Sequence, residues 1–206
     1  MKIAVFVSGG GTNLQAIIDN TKDGILKDIE ISLVLSSSKT AYALERAADN
    51  GIKSVVVSKK DFDSIESWDD AVLAAVEDSG AELIVLAGYL SLMGPKVVAK
   101  YSNRIINIHP ALIPSFCGKG FYGLHVHESA LAKGVKVSGA TVHFVTAECD
   151  AGPIILQKAV AVEEGDTPET LQKRIMEEAE WKILPKAVQL FCDGKIEVKD
   201  GKTIIR

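Results

Sequence analysis

The chain has 206 residues, 47% hydrophobic and 24% charged, with 23 basic against 27 acidic side chains and a net charge of −4. A chain of this size and composition buries a core without disulfides or a structural metal, which excludes the disordered and disulfide-scaffold classes. The mildly acidic balance offers no general attraction for nucleic acid or an anionic membrane, so any phosphate it binds is held locally.

Lys2 to Val7 form a nearly continuous apolar stretch, which predicts a strand covered on both faces. The run is too short for a signal-peptide core. The longest later run, Leu83 to Leu90, is broken by Gly88 and falls short of a bilayer span, so a cytoplasmic protein is expected. Further buried strands are predicted at Ile29 to Leu35, Ser54 to Val57, Glu82 to Leu86 and Ile105 to Ile108. Helical spacing of apolar positions predicts helices over Asn13 to Asp23, Ala41 to Asn50, Ile65 to Ser79 and Pro95 to Tyr101. This alternation predicts an α/β fold, a mostly parallel twisted sheet with right-handed crossovers and helices on both faces.

After Pro110 the texture changes. Ala111 to Leu124 is rich in Gly, Pro and aromatics without a regular period and reads as a loop beside a site. A short helix over His125 to Lys133 follows, then strands at Val135 to Thr146 and Pro153 to Val162 that extend the sheet. The loop Ala147 to Gly152 joins them. Thr167-Pro168-Glu169 starts a closing helix that Pro185 should kink, and Asp200-Gly201 predicts a terminal hairpin. With no repeat or linker, one domain over 1–206 is expected. The cysteines Cys117, Cys149 and Cys192 are widely spaced and read as unpaired thiols.

Three segments carry candidate chemistry. Ser8-Gly9-Gly10-Gly11-Thr12-Asn13 lies between the first strand and helix, where backbone N–H groups and the helix dipole favour an anion. A dinucleotide fingerprint would need glycine at Leu14, and a Walker loop would need Lys-Ser/Thr where Gln15-Ala16 stands, so a phosphate monoester fits better than NAD or ATP. Asn107 and His109 share one side of the fifth strand at its carboxyl end, aimed at the expected ligand crevice. Asp150 follows a strand carrying His143. A carboxylate beside His109 would raise the imidazole pKa and favour a cationic donor for a developing oxyanion. His125-Val126-His127-Glu128 lacks a completing ligand set, so no metal is expected. Trp68 and Trp181 read as packing residues on helices.

Val5-Phe6-Val7-Ser8-Gly9-Gly10-Gly11-Thr12-Asn13-Leu14-Gln15-Ala16-Ile17, Leu86-Ala87-Gly88-Tyr89-Leu90, Asn107-Ile108-His109-Pro110-Ala111-Leu112-Ile113-Pro114, and Gly139-Ala140-Thr141-Val142-His143-Phe144-Val145 with Asp150-Ala151-Gly152-Pro153-Ile154-Ile155 together resemble the folate-dependent formyltransferases over nearly the whole chain. The resemblance implies their Rossmann-like fold as a single domain, with an antiparallel extension in the second half. It places phosphate binding in about residues 1–100 and catalysis with folate binding in about 101–206. It implies transfer of the formyl group of 10-formyltetrahydrofolate to the glycyl amine of glycinamide ribonucleotide in purine biosynthesis. Gly11, Thr12, Asn13 and Glu180 would bind the ribonucleotide. Leu90, Ser91, Leu92, Met93, Asn107, Thr146, Ala147, Glu148, Cys149 and Asp150 would bind the folate, and Asn107, His109 and Asp150 would be catalytic. The partners implied are these two small molecules, with neither nucleic acid nor membrane, acting as a monomer or homodimer. Ser91 stands where the folate motif often carries an arginine, and Ile65 where a second is expected. Glu177 occupies a position basic or neutral in some members. Ser115 to Gly123 is longer than in several members and suits a mobile lid.

Three other readings compete. A formyltetrahydrofolate hydrolase normally carries an amino-terminal regulatory domain and a methionyl-tRNA formyltransferase a carboxy-terminal RNA-binding domain, for which 206 residues leave no room. A non-catalytic folate or phosphometabolite sensor would need the glycine turn but not Asn107, His109 and Asp150 together.

Overall fold

Ile3 to Val7 are buried without interruption, as a strand with helices over both faces requires. The computed structural model describes residues 1–206, and they divide into two units, Met1–Asn107 and Ile108–Arg206. Strands β1 (Lys2–Val7), β2 (Glu30–Ser36), β3 (Ser54–Val56), β4 (Leu83–Leu86) and β5 (Ile105–His109), within which the first unit ends, alternate with helices α1 (Thr12–Lys22), α2 (Ala43–Asp49), α3 (Ile65–Ser79) and α4 (Pro95–Lys100). All neighbouring strands here are parallel, in the order β3-β2-β1-β4-β5. The order reverses at β1, so the crevice for a ligand opens beyond the carboxyl ends of β1 and β4.

Local chemistry sets these boundaries. Ser64 and Ser67 form a reciprocal capping box at the start of α3, and Gly80 ends it in the left-handed region at φ 68°. The buried Asp69 carboxylate accepts hydrogen bonds from Lys96 N (2.7 Å) and Val97 N (3.4 Å), satisfying the first turn of α4. Gly94 is required there, because a Cβ would lie 2.0 Å from that carboxylate.

The second unit holds α5 (Leu124–Lys133), the antiparallel strands β6 (Val137–Phe144) and β7 (Ile154–Ala161), α6 (Pro168–Ile175), α7 (Trp181–Cys192) and the hairpin β8 (Ile196–Lys199) and β9 (Lys202–Ile205). The predicted antiparallel pair and terminal hairpin are both present. Asp200 (φ 50°) and Gly201 (φ 71°) form the turn of that hairpin. Thr167 caps α6 through a box with Thr170. The closing helix is not one kinked rod. A π-helical turn over Met176–Glu180 separates α6 from α7, and Pro185 lies within α7. The distortion therefore precedes the proline: the ring crowds the carbonyl four residues back, at Trp181, and the missing N–H loosens the turn before it. No helix is long and apolar enough to cross a membrane.

Candidate active site

In the first unit, β1 ends in the glycine-rich turn and α1 starts at Thr12 with no side-chain cap and no acid in its first turn. Its leading N–H groups and positive dipole end are suited to an anion. Gly11 adopts φ 70°, and a Cβ there would lie 2.6 Å from the Ala43 Cβ, so this position takes glycine for both reasons. Asn13 is buried. The expected folate segment meets the same end of the sheet. Leu90 N donates to Ser8 Oγ at 2.8 Å, and Ser8 Oγ lies 2.6 Å from Ser37 Oγ. Leu90 and Leu92 are 62% and 68% exposed, an apolar pair presented to solvent. Tyr89 is buried, and burial pushes its phenol up to about 12 despite a Ser91 contact that lowers it.

In the second unit the carboxylate of Asp150 lies between two imidazoles. His109 Nδ1 is 3.7 Å from Asp150 Oδ2 and His143 Nε2 is 3.6 Å from Asp150 Oδ1, and all three side chains are at most one-tenth exposed. Gly118 N donates to Asp150 Oδ2 at 2.8 Å. His143 Nδ1 donates to the Phe144 carbonyl at 2.8 Å, and this contact fixes the ring with Nε2 facing the carboxylate. The loop reaches this position because Asp150 adopts φ 53° and Gly152 permits close return of the chain. A Cβ on Gly152 would lie 1.8 Å from the Phe144 carbonyl oxygen. Thr141, two residues before His143 on β6, donates to Ala111 O at 2.7 Å and accepts from Ile113 N at 3.1 Å. It ties down the chain just beyond His109.

The electrostatics correct one expectation. Burial pushes the Asp150 carboxyl up, but His143, the Gly118 N–H and His109 outweigh it and hold the group at about 2. For His109 the balance runs the other way. Burial pushes its imidazole below the ordinary value, and the Phe116 carbonyl and Asp150 offset this only in part. His109 Nε2 donates to Phe116 O at 2.8 Å, on a residue at φ 50°. The nitrogen that would serve a substrate oxygen is thus held by the loop.

Other predicted residues have distinct surroundings. Asn107 pairs with Leu86 across β4 and β5 and, two residues before His109, shares its side of the strand. Thr146, Ala147, Glu148 and Cys149 form an exposed run before Asp150. Burial, then Asp150, pushes the Cys149 thiol up to about 11. Glu180 is 5% exposed and closes the π-helical turn. The histidines of His125-Val126-His127-Glu128 face different environments: His125 pairs with Glu128 at 2.8 Å, whereas His127 is fully buried. His143 was absent from the expected catalytic set. Its signal was available, the one imidazole on the strand that leads into the Asp150 loop.

The formyl transferase family matches residues 1–188. Over 204 residues the chain is 42% identical to the trifunctional purine biosynthetic protein adenosine-3 of Gallus gallus, covering 99% of this chain and 20% of that protein. It thus spans about a fifth of that relative's length. It is 37% identical to the phosphoribosylglycinamide formyltransferase of Escherichia coli (strain K12), covering 98% of this chain and 92% of that one. The crystal structure of glycinamide ribonucleotide transformylase 1 from Symbiobacterium toebii has a TM-score of 0.93 at 41% identity, covering 100% of this chain and 93% of that one.

Proposed function

The chain belongs to the formyl transferase family, and from that premise we propose that it transfers the formyl group of 10-formyltetrahydrofolate to the glycyl amine of glycinamide ribonucleotide. The products are formylglycinamide ribonucleotide and tetrahydrofolate. The observation that carries the reading is the buried carboxylate of Asp150 set 3.7 Å from His109 and 3.6 Å from His143. A module that only bound these ligands would have no use for a desolvated acid beside two imidazoles.

Gly11, Thr12 and Asn13 hold the phosphate of the ribonucleotide and Glu180 binds the same substrate. Leu90 to Met93 and Thr146 to Asp150 enclose the folate. The glycyl nitrogen attacks the formyl carbon, and the carbonyl oxygen becomes an oxyanion. Asn107 and His109 donate to it. A negative oxygen beside His109 Nε2 supplies the opposite charge that offsets the burial penalty, so the imidazole takes up a proton from solvent as the intermediate forms and returns it when the oxyanion collapses. For this the Phe116 carbonyl must release Nε2. Asp150 supports that charge and passes a proton from the attacking amine toward the leaving folate nitrogen, whose bond to carbon then breaks. His143, anchored on the Phe144 carbonyl, orients the carboxylate.

The test is an omission assay with purified protein that follows the absorbance of deformylated folate, leaving out each substrate in turn. Turnover that requires both substrates supports the transferase. Folate release without the ribonucleotide would make the protein a hydrolase, and binding without turnover would make it a sensor.

A further inference from the structure

The glycine-rich turn is shaped from behind by α2. Ala43 N donates to the Gly9 carbonyl at 3.1 Å, and Arg46 Nε donates to the Gly10 carbonyl at 2.8 Å. In a trans peptide the carbonyl and the following N–H point in opposite directions. Drawing the Gly9 and Gly10 carbonyls toward α2 therefore turns the N–H groups of Gly10 and Gly11 the other way. Successive N–H groups presented on one side form an anion-binding concavity, and here it leads directly into the uncapped start of α1.

Arg46 is fixed for this task. Its Nη1 donates to Gln15 Oε1 at 3.0 Å, on the first turns of α1, and its guanidinium lies over the Tyr42 ring, 5.0 Å from the centroid. The fork thus joins Gly10, α1 and α2 in one rigid unit, a geometry that an ammonium group cannot reproduce. Glycine at position 11 completes the fit, since any Cβ would collide with Ala43 one turn ahead of Arg46.

We propose that Arg46 is a positioning residue for the phosphate of the ribonucleotide, orienting the Gly10–Gly11 peptide so that its N–H meets the anion. The proposal rests on the reading of Gly11 to Asn13 as the phosphate-holding segment. It implies that Arg46 matters only for substrates that carry the phosphate.

The experiment compares kcat/KM for glycinamide ribonucleotide with that for its dephosphorylated riboside, in the wild-type protein, R46M and R46K. In R46M the preference for the phosphorylated substrate should fall roughly tenfold or more, as expected for loss of a charge-assisted contact, with the KM for the folate held within about twofold. An unchanged preference in a folded R46M would overturn the proposal. If R46M does not fold, R46K decides: a preference lowered roughly threefold or more supports it, because the charge is kept and the fork is lost, and an unchanged one refutes it. A wild-type protein that shows no preference for the phosphorylated substrate would instead overturn the underlying phosphate reading, and the proposal with it.

Discussion

Replacing Asp150 with asparagine removes one charge from the site while keeping an oxygen able to accept from Gly118 N. At the 3.7 Å separation of His109 Nδ1 and Asp150 Oδ2, an ion pair is worth about 1 kcal/mol if fully hydrated and about 4 kcal/mol at an effective dielectric near 20. The side chains are 5% and 10% exposed, which places the pair in the upper part of that range, at about 2–4 kcal/mol. Since about 1.4 kcal/mol is a factor of ten, D150N should lower kcat by roughly 30-fold to 10³-fold. The pH profile gives the more specific readout. If the cationic His109 serves the oxyanion, kcat/KM falls as pH rises through the His109 pKa, and Asp150 raises that pKa. Its removal should therefore move the falling limb to lower pH by about one unit or more. Steady-state turnover from folate absorbance across the pH range, with a urea midpoint at neutral pH to establish folding, measures both effects. A D150N protein whose falling limb stays in place and whose kcat is within about threefold of wild type would refute the assignment.

Further expectations concern single contacts. H109A should lose about 10²–10³ in turnover in the same assay, as for an oxyanion donor, with little change in ribonucleotide binding by calorimetry. S8A strands the Leu90 N–H that Ser8 accepts at 2.8 Å, and should raise the folate KM by roughly threefold to tenfold, with a smaller effect on the ribonucleotide KM. G11A combines a positive φ with the Ala43 contact, and should cost about 2–4 kcal/mol by urea denaturation. The Asp150 carboxyl is held at about 2 against an ordinary 3.8, so its ionisation contributes about 2 kcal/mol of stability above pH 4 that is lost as pH falls through about 2. The D150N protein should show a correspondingly weaker acid dependence in thermal melts, and an acid limb identical to wild type would contradict the shift.

Much of this architecture was legible in the chain. Apolar runs such as Lys2 to Val7 announce strands buried on both faces, because period and hydrophobicity are local properties of the sequence. The spacing over Ile65 to Ser79 matches α3 at both ends, since the period of apolar positions is a local signal too. The glycine turn, the Asn107 and His109 pair and the Asp150 loop were likewise visible, as each sits where a strand gives way to irregular chain. Tertiary structure alone decided what depends on residues far apart. It set Asp150 against His143 as well as His109, made Gly152 indispensable beside the Phe144 carbonyl, and brought Ser8 to the Leu90 N–H. It also set burial of His109, which lowers the imidazole pKa, against Asp150, which raises it. A neighbouring carboxylate can be read from a motif, but the desolvation that outweighs it depends on how the whole unit packs, and burial is the sum of contacts that no short stretch of sequence contains.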